Sequence, residues 1–258
     1  MRSSIPLFDS LADDYDRHFE VAHRRAYDTL AWEAVSGLLP ARPGVVVDAG
    51  CGVGRWATRF AALGHRVVAI DHAPRMVERA LERLPAERCT VVHASIEEAQ
   101  IEDARADLVV AMGSAQYTQQ PERAIERFAR WVRPRGRVAV LVDSLVAMAV
   151  EKIRSGRPQE AVAEARDRRG VWKQKRAAAD VHLLDRARVE AAFRRGGLTD
   201  VRSGGLLVTT SVFGLPWVRQ RLESAWDDLL AVERRLMREP ALADLGKQLL
   251  VTGRRPPS

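Results

Sequence analysis

The sequence predicts an α/β fold in which a doubly wound, mostly parallel sheet is covered by helices on both sides, and three observations carry that prediction. Val45-Val46-Val47-Asp48-Ala49, flanked by Pro43-Gly44, is a near-continuous apolar run, the pattern of a strand buried on both faces. Three glycines then recur at every second position, Gly50, Gly52 and Gly54, and a helical pattern starts directly behind them. Further apolar runs at 64–71, 90–95, 106–114 and 137–142 alternate with stretches of helical periodicity, the order of βαβ units.

The glycine spacing narrows what the loop can hold. Glycines let the backbone bend sharply and leave room for a ligand against it, while the following helix points free N–H groups at that ligand. A dinucleotide fingerprint needs its third glycine at position 55, where Arg55 stands, and a phosphate-binding Walker loop needs a lysine the stretch lacks. Here an acid, Asp48, sits two residues before the first glycine. The second run ends in another, Asp71, seventeen residues beyond Gly54 (71 − 54). A carboxylate at that strand end faces the ligand crevice and can accept both hydroxyls of a ribose.

The segment Asp48-Ala49-Gly50-Cys51-Gly52-Val53-Gly54, with Asp71 behind it, resembles motif I and the ribose acid of the class I S-adenosylmethionine (SAM)-dependent methyltransferases. The resemblance implies a seven-stranded, Rossmann-like methyltransferase fold. It also implies SAM as cofactor, with S-adenosylhomocysteine (SAH) as product, its tail at the glycine bend and its sugar on Asp71. Coverage is strong over 44–142 and weaker beyond.

Taken in order, Phe8 to Asp16 leads into a helix expected over 21–39, ending before Pro40. Similar enzymes carry a Tyr-Asp pair in an N-terminal segment folded over the cofactor, so 1–40 is expected to form a cap and Tyr15 to lie near the sulfonium, where an aromatic face attracts a cation. The alternative is that Tyr15 merely packs the helix onto the sheet. His18, His23 and Arg25 could reach the pocket or stand in water. Residues 53–63 and 73–84 read as helices. By resemblance His72, directly after the ribose acid, is a contact for adenine. The strand at 90–95 departs from the family, because the usual acid for the adenine amino group falls near Ala94; Ser95 or a backbone carbonyl takes that role, and the Ile96 backbone meets the ring.

The run 106–114 is the fourth strand, with Met112 and Gly113 under the methionine half of SAM and Tyr117 and Gln116 at the rim. A helix at 121–132 and a fifth strand at 137–142 follow, with Asp143 at its end either facing the crevice or capping the next helix. Residues 145–185 form an insertion at the place where such enzymes build their substrate lid, with helices at 145–154 and 158–168 and Trp172 and His182 as its candidate pocket residues. A helix at 186–195, a strand at 201–210, a long helix at 215–238 and a strand at 248–253 complete an antiparallel pair after five parallel strands. The SAM-binding domain thus spans 41–258.

Composition bounds the function classes. The 258 residues suffice for one sizeable core. Two cysteines, Cys51 and Cys89, give neither a disulfide framework nor a metal site, which fits a reducing cytoplasm. No apolar tract reads as a leader or a membrane span: the longest, 138–150, is broken by Asp143 and Ser144. The formal charge is +7, yet the arginines are scattered among acids, which reads as a mixed surface rather than a nucleic-acid stripe. Asn-Pro-Pro-Tyr, the signature of many base-amine methyltransferases, is missing, so nucleic acid is not the expected partner. The expected reaction is methyl transfer to O or N of a small molecule, by resemblance a secondary metabolite, through in-line displacement in a desolvated pocket. If a base takes part, His18, His23, Asp143 and His182 are the candidates. Two rival readings stand beside it: an RNA methyltransferase, and a SAM-binding protein in which the cofactor only organises a pocket for a rearrangement or for regulation.

Overall fold

The computed structural model describes residues 2–174 and 176–257. In chain order the elements are α1 (Ile5–Asp9), α2 (Ala22–Ser36), β1 (Val45–Ala49), α3 (Arg55–Ala62), β2 (Arg66–Asp71), α4 (Pro74–Arg83), β3 (Cys89–His93), β4 (Ala106–Met112), α5 (Pro121–Trp131), β5 (Val132–Asp143), α6 (Leu145–Arg154) and α7 (Pro158–Asp167). They continue with β6 (Arg169–Gln174), β7 (Ala177–His182), α8 (Arg186–Arg195), β8 (Thr199–Leu206), α9 (Thr209–Phe213), α10 (Leu215–Ser224), α11 (Trp226–Leu236) and β9 (Gln248–Arg254).

The main sheet has seven strands in the order β3-β2-β1-β4-β5-β9-β8, the first five parallel and β9 antiparallel to both its neighbours. Its continuous apolar strands follow from two-sided burial. In β1, Val46 packs into the layer holding Leu30, Trp56 and Phe60, while Val47 faces the opposite layer with Phe128, Trp131 and Phe193. Successive side chains point to opposite faces, so both must be apolar. From β1 the chain winds outward to β2 and β3, then returns to place β4 on the other side. That reversal opens a crevice at the strand ends, and the glycine loop lies at its mouth.

Several boundaries differ from the sequence-based expectation. The helix expected over 215–238 is two, α10 and α11, because Ala225 between them leaves the helical region at φ −149°. The strand expected over 201–210 ends at Leu206, and Thr209 opens α9 with its N–H on the buried Glu233 carboxylate. The insertion holds the two expected helices plus a two-stranded hairpin, β6 and β7, where the sequence pattern indicates no element. The cap of α6 is Ser144, whose hydroxyl accepts the Ala147 N–H, so Asp143 does not serve as that cap. Among the described residues no helix is long and apolar enough to cross a membrane.

Candidate active site

The glycine loop is bent as its composition demands. Gly50, Gly52 and Gly54 all take positive φ, at 85°, 55° and 81°. A Cβ on Gly50 would also lie 2.2 Å from that of Ser114, so no larger residue fits there without moving the end of β4. The loop is fastened to β2 by Asp71, whose Oδ2 accepts the Gly52 N–H (2.8 Å) and whose Oδ1 accepts the Ala73 N–H (3.0 Å).

Around this loop lies a cavity of about 480 Å³. Its base is made by residues just past four parallel strands: Gly50 and Gly52 after β1, Asp71 and His72 at the end of β2, Ser95 and Ile96 after β3, and Met112 and Gly113 at the end of β4. Tyr15 and Phe8 from the N-terminal segment and Tyr117 close it from above. Ten residues expected to bind the cofactor therefore stand around one space: Tyr15, Gly50, Gly52, Asp71, His72, Ser95, Ile96, Met112, Gly113 and Tyr117. Three do not line it. Asp48 is buried beneath the loop, Gly54 opens α3 and packs on Leu84, and the exposed Arg25 lays its guanidinium over Trp226.

The residues present suit a cationic nucleoside. Burial, together with the neighbouring Asp71 charge, pushes the Asp48 carboxyl up to about 7, and its Oδ2 has no hydrogen-bond partner. Burial likewise raises Asp71. A positive ligand in the cavity relieves Asp71 directly, since Asp71 lines that space and Asp48 does not. Each Asp71 oxygen keeps acceptor capacity beyond its single backbone bond, enough for a diol. Gly113 would meet nothing within 4 Å if given a Cβ, which marks open space where the methionine half is expected. The Ser95 hydroxyl is taken by Glu98 (2.8 Å), while Glu97 and Glu98 themselves line the cavity. Reading Ala94 as the family's acid position missed these two carboxylates, which stand three and four residues later.

A second cavity, of about 620 Å³, adjoins the first and shares Phe8, Tyr15, Met112, Gly113 and Tyr117 with it. Its walls come from α2, the end of β5, α6, α9 and α10, with Trp172 of the hairpin also lining it. Two of the four candidate bases reach it. His23 is 5% exposed and its Nδ1 accepts from Arg219 Nε at 3.0 Å; burial first, then the Arg219, Arg24 and Lys247 charges, hold it down to about 4. It is a neutral ring at neutral pH. Asp143 also lines the cavity and is tethered by Gln116 Nε2 at 2.9 Å and Gln248 Nε2 at 3.4 Å. The other two lie elsewhere. His18 joins the N-terminal segment to the hairpin through Gln174, and His182 is buried at the end of β7 with its Nε2 unpaired. Among the described residues no group of three His, Cys, Asp or Glu side chains could hold a metal ion.

Sequence reasoning also missed Arg24, which lines the second cavity. The signal was present. Arg24 precedes Tyr27 by three residues and Ala31 by seven, so it shares their side of α2, whereas Arg25 is turned about 100° away.

Comparison with known proteins agrees with this architecture. The family described as "Methyltransferase domain" matches residues 47–140. An uncharacterized methyltransferase of Mycobacterium tuberculosis is 33% identical over 120 residues, 46% of this chain and 48% of that protein. The tRNA 5-carboxymethoxyuridine methyltransferase of Escherichia coli is 23% identical over 276 residues, covering 97% of each. A SAM-dependent methyltransferase of Thermotoga maritima, described as a possible histamine N-methyltransferase, shares the fold with a TM-score of 0.62 at 17% identity, over 97% of this chain and 99% of that one. The chain spans about half the length of the mycobacterial relative it matches.

Proposed function

We propose that the protein transfers a methyl group from SAM to an oxygen or nitrogen of a small molecule, with 1–40 as a cap and 145–185 as a lid; the match of residues 47–140 to the methyltransferase domain family supports this. One observation carries this reading: the two cavities meet at Tyr15, Met112, Gly113 and Tyr117, so a donor in one and an acceptor in the other would share a single walled junction. When bound, SAM supplies a methyl group on a positively charged sulfur. The protein's part is to hold two ligands in line and keep water out, and positioning of this kind can supply several kcal/mol. Half-buried aromatic rings are well suited to exclude water at that junction. Phe8 meets Tyr117 edge-on with ring centroids 5.1 Å apart, and Tyr15 packs in the same cluster. No proton acceptor is forced on the reaction, since His23 has no second hydrogen-bond partner among the described residues to relay a proton and Asp143 is held by amides.

A second reading, RNA methylation, is favoured by the full-length match to the Escherichia coli tRNA enzyme. The surface supports it less. Arginines on α4 are paired with acids of the N-terminal segment, Arg75 and Arg79 with Asp13 and Arg83 with Asp16, and others pair across helices, Arg234 with Glu33 and Arg195 with Glu126. Charges so occupied leave fewer guanidinium groups for phosphates. Titration with SAM followed by labelled-methyl transfer tests both: incorporation into a small-metabolite pool supports the first reading, incorporation into tRNA the second, and absence of SAM binding sinks both.

A further inference from the structure

The second cavity carries one charge that nothing among the described residues answers. Its other charged groups are engaged. Arg154 donates to the Ser211 and Val212 carbonyls, both at 2.7 Å, Lys247 sits 3.4 Å from Glu151, and Asp143 accepts from two glutamine amides. Arg24 alone among them makes no side-chain hydrogen bond and no ion pair with any described residue, although it is half-buried in the cavity wall. A guanidinium partly withdrawn from water with no counter-charge is unfavourable, and a fork of N–H donors matches the two oxygens of a carboxylate or the edge of a phosphate.

Three phenols stand close enough for the Arg24 charge to act on them, Tyr117 and two others whose hydroxyls make no bond to a described residue. Tyr15 and Tyr27 both line the cavity, both are raised by burial and so stay protonated, and the Arg24 charge lowers each in turn. Neither hydroxyl bonds another described residue, so both remain free as donors. Tyr27 follows Arg24 by three residues, and one face of α2 presents both. The surrounding wall is apolar and aromatic, with Phe19, Leu141, Val142, Met148, Trp172 and Pro216. Such walls exclude water and strengthen a charge-assisted bond.

We propose that the second cavity takes an organic acid, its carboxylate or phosphate held by the Arg24 guanidinium with the Tyr27 and Tyr15 hydroxyls beside it and its apolar body against the aromatic wall. This rests on the cavity being the acceptor site of the reading above, and deepens it by naming the acceptor's chemical class.

The test is direct binding, with no turnover required. Phenylacetate, phenyl phosphate and the neutral phenylacetamide are titrated against the protein, with and without SAH, by calorimetry or ligand-observed NMR. At least one anion is expected to bind tenfold or more tighter than the amide, and which one does so tells a carboxylate site from a phosphate site. Arg24→Gln should abolish that preference and leave SAH affinity unchanged, since Arg24 does not line the first cavity. Arg24→Lys should restore part of it. Should Arg24→Gln fail to fold, Arg24→Lys and Tyr27→Phe carry the test, each reducing the preference severalfold. Equal binding of amide and anions to the wild type, absence of binding by either anion, or a preference that survives in the folded variants overturns the proposal. Failure of SAH to bind the wild type would instead strike the methyltransferase reading, and the titrations without SAH would still report on Arg24.

Discussion

Replacing Asp71 separates a cofactor role from a merely structural one. The side chain is 8% exposed and already accepts the Gly52 and Ala73 N–H groups, one on each oxygen. A carboxylate offers about four acceptor positions, so roughly two remain for the hydroxyls of a ribose. Hydrogen bonds to a charged group contribute about 1.5–3 kcal/mol each. Asp71→Asn keeps the shape but turns an NH2 toward a backbone N–H or toward the sugar, losing at least one such bond. The expected effect is a loss of SAH affinity of about tenfold to a hundredfold, about 1.4–2.8 kcal/mol, with Asp71→Ala at least as severe. Calorimetry on wild type and both variants measures it, alongside thermal unfolding of the ligand-free proteins to confirm the fold. An SAH analogue lacking the ribose hydroxyls completes a double-mutant cycle: the wild type should lose affinity for the analogue, and Asp71→Asn should lose little more. Affinity for SAH within twofold of wild type in a folded variant, or strictly additive losses, would refute the assignment.

Three further outcomes follow from buried charge. Asp48 has a native value of about 7 against an ordinary 3.8, so its charged form costs stability that grows as pH rises from about 4 to 7; at about 1.36 kcal/mol per unit the full cost is about 4 kcal/mol. Asp48→Asn should therefore unfold at a higher temperature than wild type at pH 8, with the gain shrinking toward pH 4, as calorimetric melts across that range would show. His23 behaves with the opposite sign: its native value of about 4 lies below the ordinary 6.5, so the stability its neutral ring retains above pH 6.5 is lost as pH falls through 4. Urea unfolding should show wild type losing up to about 3 kcal/mol over that interval that His23→Gln does not lose. Glu233 is wholly buried and accepts the Val208 and Thr209 N–H groups and the Thr209 hydroxyl. Glu233→Ala leaves those donors unpaired, and a destabilisation of about 2–4 kcal/mol, visible as a fall in melting temperature of about 5–15 °C, is expected; a fall below 2 °C would show that water replaces the carboxylate.

The sheet, and most of the residues that line the first cavity, are legible in the chain alone, because their signals are local. Apolar runs such as Val45 to Ala49 and Val138 to Val142 announce strands buried on two faces, and the positive-φ glycines that end β1 leave a spacing only a bent loop uses. Asp71 was legible because strand order alone brings the end of β2 beside that loop. The second cavity exists only once the chain is folded. It is assembled from α2, β5, α6, α9, α10 and the hairpin, elements scattered over some two hundred residues, and no period in the chain reports which side chains meet there. The hairpin itself is short and broken by alanines, too weak a pattern to read before β7 docks on the N-terminal segment. Choosing Arg24 over Arg25 turned on helical phase, a rotation of about 100° that places one guanidinium in the cavity and the other over Trp226. Charge content is written in the chain, but whether a charge is answered depends on what folds beside it, and that is why the unpaired Arg24 emerged only in three dimensions.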